Sequence, residues 1–309
     1  MALKTRNIHT SHSDMQALWP SIEDAWKTRG GLTDIVPTLL ERLDKPDKLT
    51  GQILYANDVP VGVFWVEKLT HNYGNVFFHS THPAFREALV SALFTSEFLN
   101  GVYSELIHFE DTLDYRKFMI KHQAYENPRQ RMGRFLTDFT IQNAPDPLVT
   151  YLPTTEDMTP LISAISAHGH QLSRDYVGYP GLEDTQARAA LQTQVFSGFY
   201  GQVVTDASLS MYYQGKLVGS VLIVEIACWG YDKVPWVFDI SIDAAYQGKG
   251  LGIALMIESM QRLKALDYPV IGLAVTLTNA AALRIYEKLG YMITDAFTEY
   301  LYPNPEAHT

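Results

Sequence analysis

Residues 243 to 253 read DAAYQGKGLGI, which sets Gly248, Gly250 and Gly252 within five positions. The apolar run WVFDISI ends just before this segment, and a helical pattern begins just after it. Ile253, Met256, Ile257, Met260, Leu263 and Leu266 recur at spacings of three and four, which makes one apolar face of a helix starting at about Gly250. Glu258 and Arg262 lie four apart on its polar face. Strand, glycine loop and helix in direct succession leave few folds open. A helix start exposes unpaired backbone N–H groups and partial positive charge. Glycine lets such a backbone close around an anion without side-chain interference. The segment therefore reads as a phosphate cradle, or more plainly as a tight turn that needs positive φ. It is neither the G-x-G-x-x-G dinucleotide pattern nor a P-loop.

Gln247 heads the pattern Q-x-x-G-x-G, completed by Gly250 and Gly252. Here the sequence resembles the GNAT acetyltransferase superfamily, whose acyl-CoA loop follows a strand and opens a helix. A second segment, NAAALRIYEKLGY, resembles a later motif of that family through Asn279, Ala282, Tyr286, Gly290 and Tyr291. Asn279 suits a helix N-cap, and Gly290 suits a helix end. The resemblance covers residues 150 to 302. It implies acetyl-CoA as co-substrate and no metal. It assigns coenzyme A to Ile240, Ser241 and Ile242 on the strand, and to Gln247, Gly248, Lys249, Gly250, Leu251, Gly252 and Ile253 in the loop. Asn279, Ala282 and Tyr286 complete that set.

The chain also echoes itself. SHSDMQALWPSI from Ser11 resembles TTEDMTPLISAI from Thr154, with a hydroxyl three places before an aspartate in each, a helix-start signature. ILYANDVPVGVFWV likewise matches SMYYQGKLVGSVLIV, and each reads as a hairpin. Two echoes in one order suggest duplication, although either alone is within reach of coincidence. QNAPDPLVT, residues 142 to 150, has linker composition and places domains at 1–143 and 144–309. The expected class is α/β: two GNAT-like domains, each a mixed, mostly antiparallel twisted sheet flanked by helices. In the first half the corresponding stretch, FFHSTHPAFREALVSAL, has no glycine, and Pro83 and Phe85 stand where the loop belongs. That half is expected to be degenerate, without the cofactor motif.

Acetyl transfer from a thioester to an amine requires a proton acceptor, oxyanion stabilisation and protonation of the leaving thiolate. Tyr286 matches the family's general acid, and a phenol near pKa ~10 can protonate a thiolate whose thiol lies near ~8.5. The alternative for Tyr286 is core packing. Asp239 is the expected base, through water, or else a structural or substrate anchor. Glu225, set in the run LIVEIACW, is the second choice as base or an exposed edge residue. The amide near Ile242 resembles the family's oxyanion donor. Lys249, Arg284 and Lys288 are candidates for the coenzyme phosphates or ordinary surface charge. Tyr176, Tyr179, Phe199 and Tyr200 either line an acceptor site or pack the core. His168 and His170 lack a third metal ligand at suitable spacing and are read as a substrate-loop or solvated pair.

The net charge of −10 argues against nucleic acid or anionic membrane as partner. The lone cysteine, Cys228, excludes an intrachain disulfide and reads as a buried structural thiol. No apolar run approaches a membrane span or a signal-peptide core, so a cytoplasmic protein is expected, monomeric or homodimeric. The sequence supports an N-acetyltransferase acting on a small-molecule amine, with a non-catalytic acyl-CoA-binding or scaffold protein as the alternative.

Overall fold

Two hairpins of one geometry organise the chain, one in each of two units. The computed structural model describes residues 2–28, 49–68, 73–100, 103–108, 114–140, 146–171, 181 and 184–303. The first unit comprises residues 1–127 and 298–309, the second residues 128–297.

In the first unit β1 (Leu3–Asn7) and α1 (His12–Thr28) precede the hairpin of β2 (Leu49–Ala56) and β3 (Val59–Lys68). Then come β4 (Tyr73–Ser80), α2 (Arg86–Thr95), β5 (Tyr103–His108), α3 (Asp114–Lys121) and the start of β6 (Tyr125–Phe135). The strands β1 to β5 pair in sequence order, and residues 300–302 of the last strand pair with β5. Among the described pairings of this unit, β4 with β5 is the parallel one. Alternation along the strands covers both faces of this sheet with hydrocarbon. Ile53, Tyr55, Val63, Trp65 and Phe77 pack with Met15, Leu18 and Ile22 of α1. Leu54, Phe64, Val66, Val76 and Phe78 pack with Leu89, Val90 and Leu93 of α2. Each such side chain contributes about 1.5–3 kcal/mol on burial.

The second unit continues β6 and adds β7 (Val149–Pro153), α4 (Thr159–His170), α5 (Thr185–Phe196), β8 (Gln202–Val203) and β9 (Leu209–Tyr213). It then runs through β10 (Lys216–Cys228), β11 (Tyr231–Ile242), α6 (Leu251–Ala265), β12 (Val270–Thr276), α7 (Ala280–Lys288) and β13 (Met292–Tyr302). Its strand order is β6-β12-β11-β10-β9-β7, with β8 beside β10 and β11 parallel to β12. α4 and α5 pack on each other, and α4 packs on β10 and β11.

The hairpin echo is structural. Asn57 and Asp58 turn β2 into β3 with φ of 51° and 65°; Gln214 and Gly215 turn β9 into β10 with φ of 53° and 77°. Two positive φ values in a two-residue loop match the right-handed strand twist. Each hairpin carries a bulge at the same place, Val61 in one and Val218 in the other. The helix-start echo holds less well. α4 begins at Thr159 after a short 3-10 turn, and the Thr154 hydroxyl lies 2.8 Å from the Ser210 hydroxyl instead of capping it.

The division between units also departs from the linker expected at residues 142–150. It falls after Asn127. Residues 129–135 pair along β12 in the second unit, and residues 300–302 pair along β5 in the first. Strand pairing, not linker composition, fixes where each unit ends. Among the described residues no helix is long and apolar enough to cross a membrane.

Candidate active site

β11 and β12 are paired at only two positions, Trp236↔Gly272 and Val237↔Leu273, yet β11 runs on to Ile242 and β12 to Thr276. The parting coincides with a bulge. On β10, Leu222 faces Asp239 and Ile223 faces Val237, so Phe238 is the extra residue. A bulge bends its strand and ends pairing locally. The Asp243 N–H donates to the Val218 carbonyl at 2.8 Å. Alternation then turns the N–H groups of Ile240 and Ile242 away from β10, toward the gap.

At the end of β11 the glycine loop opens α6. Gly248 and Gly250 have φ of 76° and 78°, and a Cβ added to either would meet nothing within 4 Å. Glycine is required there by torsion, and the surrounding space is open. Gly250 is the N-cap of α6; no side chain caps it and no acidic residue stands in the first turn. The helix start thus presents its N–H groups outward. Leu251 is buried, and Ile253 packs against the core. A Cβ at Gly252 would make ordinary contact with Ile285 and Ile242 at 3.6 and 3.7 Å. Lys249 Nζ and Lys216 Nζ stand 5.0 and 5.1 Å from the centre of the Tyr246 ring.

Gln247, which heads the motif, braces the loop. Its Nε2 donates to the carbonyls of Ile242 at 2.9 Å and Gly169 at 3.0 Å. Gly169 permits this junction, because a Cβ there would lie 2.7 Å from the Ile242 carbonyl oxygen. The glycine between His168 and His170 is thus a close-approach glycine, a role that no local pattern marks. α7 begins differently from α6: Asn279 Oδ1 accepts from the Ala282 N–H at 3.1 Å, so this helix start is capped from within. Tyr286 is buried at 7% exposure in the core, its ring 5.6 Å from that of Tyr291. Arg284 and Lys288 are exposed on the same helix.

The other face of β11 is polar and buried. Asp239 receives Arg188 Nη2 of α5 at 2.6 Å and Ser166 Oγ of α4 at 3.1 Å on Oδ2, while His170 Nε2 stands 3.5 Å from Oδ1. Ser241 Oγ lies 3.1 Å from Ser166 Oγ and 3.4 Å from His170 Nε2. Arg188 Nε donates to Ser166 Oγ at 3.0 Å, and Ser163 Oγ donates to Gln192 Oε1. Nearer the loop, His168 Nδ1 and Asp243 Oδ2 are 3.1 Å apart. A bulged, parted strand pair beside an uncapped glycine helix start is now joined to a sequence match. Residues 176–291 match the acetyltransferase (GNAT) family.

Solved structures carry the same fold. A tandem GNAT protein from the clavulanic acid biosynthesis pathway has a TM-score of 0.59 at 10% identity, covering 97% of this chain and 98% of that one. A GNAT-family acetyltransferase from Colwellia psychrerythraea has a TM-score of 0.55 at 13% identity, covering 97% and 99%. A GNAT-related glucosamine N-acetyltransferase region of a fungal multi-domain β-N-acetylglucosaminidase reaches a TM-score of 0.64 at 13% identity. This chain spans 97% of itself in that match and 38% of the fungal protein's chain. At such identities the likeness is one of fold. No curated protein sequence matches the chain.

Within the GNAT match, two proton-acceptor expectations meet physical objections. Burial by itself would raise the Asp239 carboxyl, but the Arg188 charge and the His170 hydrogen bond outweigh it and hold the group well below the usual carboxylate range. A carboxylate so stabilised is a poor base at neutral pH, and its buried bonds to Arg188 and Ser166 suit a structural anchor. Glu225 pairs in register with Pro235, on the closed side of the bulge. It is engaged by Lys233 at 3.1 Å and by the Tyr268 hydroxyl, whose own pKa burial and Glu225 push up to about 12. Of the four aromatics expected near an acceptor, Tyr176 and Tyr179 lie outside the described residues. Tyr200 packs its ring 4.7 Å from Phe238, the bulge residue, and 4.8 Å from Phe199. Cys228 is half-buried, and burial pushes its thiol up to about 11.

Proposed function

We propose that the second unit is an acetyl-CoA-dependent N-acetyltransferase that moves an acetyl group directly from the thioester to a primary amine. The first unit is, on this reading, a GNAT-like partner without a cofactor site. One observation carries it: the gap between β11 and β12 opens beside a helix start that no side chain caps. The residues present fit coenzyme A on structural grounds. The open space at Gly248 and Gly250 admits a diphosphate to the N–H groups of Leu251, Gly252 and Ile253. The gap admits an extended arm along the outward N–H groups of Ile240 and Ile242. Lys249 adds a nearby positive charge, and Gln247 holds the loop in place.

Acetyl-CoA supplies the activated acyl group and a thiolate leaving group. The chain supplies the rest. Amides facing the gap orient and polarise the carbonyl. The Tyr286 hydroxyl protonates the departing sulfur, the role its motif implies. Polyamines, amino acids, amino sugars and peptide N-termini all remain eligible acceptors.

Two measurements test this. Calorimetry with acetyl-CoA should give one site per chain; two sites would contradict a cofactor-free first unit. Thiol release from acetyl-CoA should depend on an added amine, and Tyr286→Phe should lower kcat by roughly ten- to a thousandfold with cofactor affinity intact. Binding without release for any amine would favour the non-catalytic acyl-CoA-binding alternative. A lowered melting temperature with unchanged kcat would return Tyr286 to core packing.

A further inference from the structure

Asp239 is held by Arg188 and Glu225 by Lys233, which makes each a weak choice for the base that the reaction needs. The polar face of β11 offers another group. His170 ends α4, and its Nε2 faces Asp239 Oδ1 at 3.5 Å and Ser241 Oγ at 3.4 Å. Asp239 divides its two oxygens: Oδ2 takes Arg188 and Ser166, which leaves Oδ1 to the imidazole. An ionised carboxylate only accepts hydrogen bonds, so Nε2 must carry the proton and Nδ1 the lone pair. The carboxylate thereby fixes tautomer and ring together, as in other Asp–His pairs.

The placement suits an incoming amine. Asp239 and Ser241 lie beyond the last pair of β11 with β12, on the run that borders the gap. Their side chains bond to α4 and α5, whereas Ile240 and Ile242 pack with α6 and α7 on the opposite face. That opposite face is filled by hydrocarbon. His170 stands on the other face of the strand, on the α4 side. Tyr200 and Phe238 line the same strand bulge.

We propose that His170 Nδ1 is the proton acceptor for the attacking amine, with Asp239 and Arg188 as positioning residues. This rests on the acetyltransferase reading. The amine nitrogen forms its bond to the thioester carbonyl carbon, and one of its protons passes to His170 Nδ1. The C–S bond breaks with its electron pair on sulfur, which takes the proton of Tyr286. The imidazolium then returns a proton to solvent while Tyr286 regains one, which gives amide and free thiol. Among the described residues, the charged groups packed around the imidazole are Asp239 of β11 and, through it, Arg188 of α5; His168, on its own helix, is turned to Asp243.

The decisive variant is His170→Gln, whose amide nitrogen can still donate to Asp239 but offers no basic nitrogen. Transfer to spermidine, glucosamine, lysine and a peptide with a free N-terminus is followed by thiol release across pH 5 to 9. For whichever amine the wild type accepts, His170→Gln should lower kcat by about a hundredfold or more, with the acetyl-CoA Kd unchanged. The acid limb of the pH profile should vanish. Should His170→Gln melt early, His170→Ala with added imidazole replaces it, and recovery of rate supports the proposal. A His170→Gln protein with wild-type kcat and an intact acid limb overturns it while leaving the acetyltransferase reading in place. A folded wild type that binds acetyl-CoA but acetylates none of the four amines overturns both.

Discussion

In the first unit β4 and β5 stay in register from Tyr73↔Tyr103 to Phe78↔His108, six consecutive parallel pairs. In the second, β11 and β12 hold two. The preceding hairpins show where the difference arises. Gly62 lies opposite Ser80 and Gly219 opposite Ile242. Aligned on those glycines, Phe77 stands where Asp239 stands, and His79 where Ser241 stands. β3 and β4 pair without a register shift, whereas β10 and β11 accommodate the extra Phe238. The first unit fills the position with Trp65 stacked on Phe77 at 5.1 Å. The second fills it with a carboxylate, a guanidinium, two serines and an imidazole. The two units therefore carry different interiors: closed around a stacked aromatic pair, with His79 bonded to Ser21, where the strands zip, and polar and parted where the bulge bends one strand away.

The largest effect should come from forcing the second interior on the first. Phe77→Asp would set a carboxylate among Val63, Trp65 and Ile53, at a cost above about 4 kcal/mol. Thermal melting and limited proteolysis should show the first unit largely unfolded. A variant that melts like the wild type would mean that this face is not a packed core.

Next comes loss of the charge that organises the second interior. Asp239→Ala leaves Arg188 buried and unpaired, for about 3–5 kcal/mol. The Asp239 carboxyl lies below its unfolded value, so its contribution is in force above about pH 4 and drains away as pH falls toward the folded value. Denaturant titrations from pH 7 down to pH 2 should show a steeper acid loss in the wild type than in Asp239→Asn. Parallel curves would remove the ion pair from the account.

A smaller effect distinguishes torsion from charge at the loop. Gly250→Val places a β-branched residue at φ 78°, which costs about 1–2 kcal/mol or more and should weaken acetyl-CoA binding about tenfold. Lys249→Ala should matter less by calorimetry, since the cradle is backbone. A larger loss at Lys249 would shift the argument from amides to charge. Smallest is Asn279→Ala, which removes the α7 cap for about 1 kcal/mol and should leave the α6 cradle untouched. A change in cofactor affinity as large as that of Gly250→Val would bring Asn279 into the site.

Much of this was legible in the sequence. The two hairpins announce themselves through Asn57-Asp58 and Gln214-Gly215, because a two-residue turn depends on local torsions alone. The helix from Leu251 follows from its apolar spacing, and its start from Gly250. Less legible was the bracing of the site. Gln247 heads the motif, but nothing in the motif says that its side chain bonds Gly169, 78 positions away in sequence. Ser163, Ser166 and His170 fall at helical spacing and form a polar stripe on α4, a signal that something polar faced them. Nothing local said that the partners were Asp239 and Arg188.

The sequence by itself determined the elements that rest on short-range physics: the turns, the amphipathic helices, the strand–loop–helix order and the glycines that a helix start at positive φ requires. Tertiary structure decided which strands complete each unit, because the backbone hydrogen bonds of residues 129–135 and 300–302 are satisfied by partners far away in sequence. It also decided the chemistry of Asp239. An isolated aspartate in WVFDISI could be a base, an anchor or a surface charge. A guanidinium at 2.6 Å in a buried setting makes it an anion held in place, since the cost of removing a charge from water is offset only by a partner that the fold brings to it.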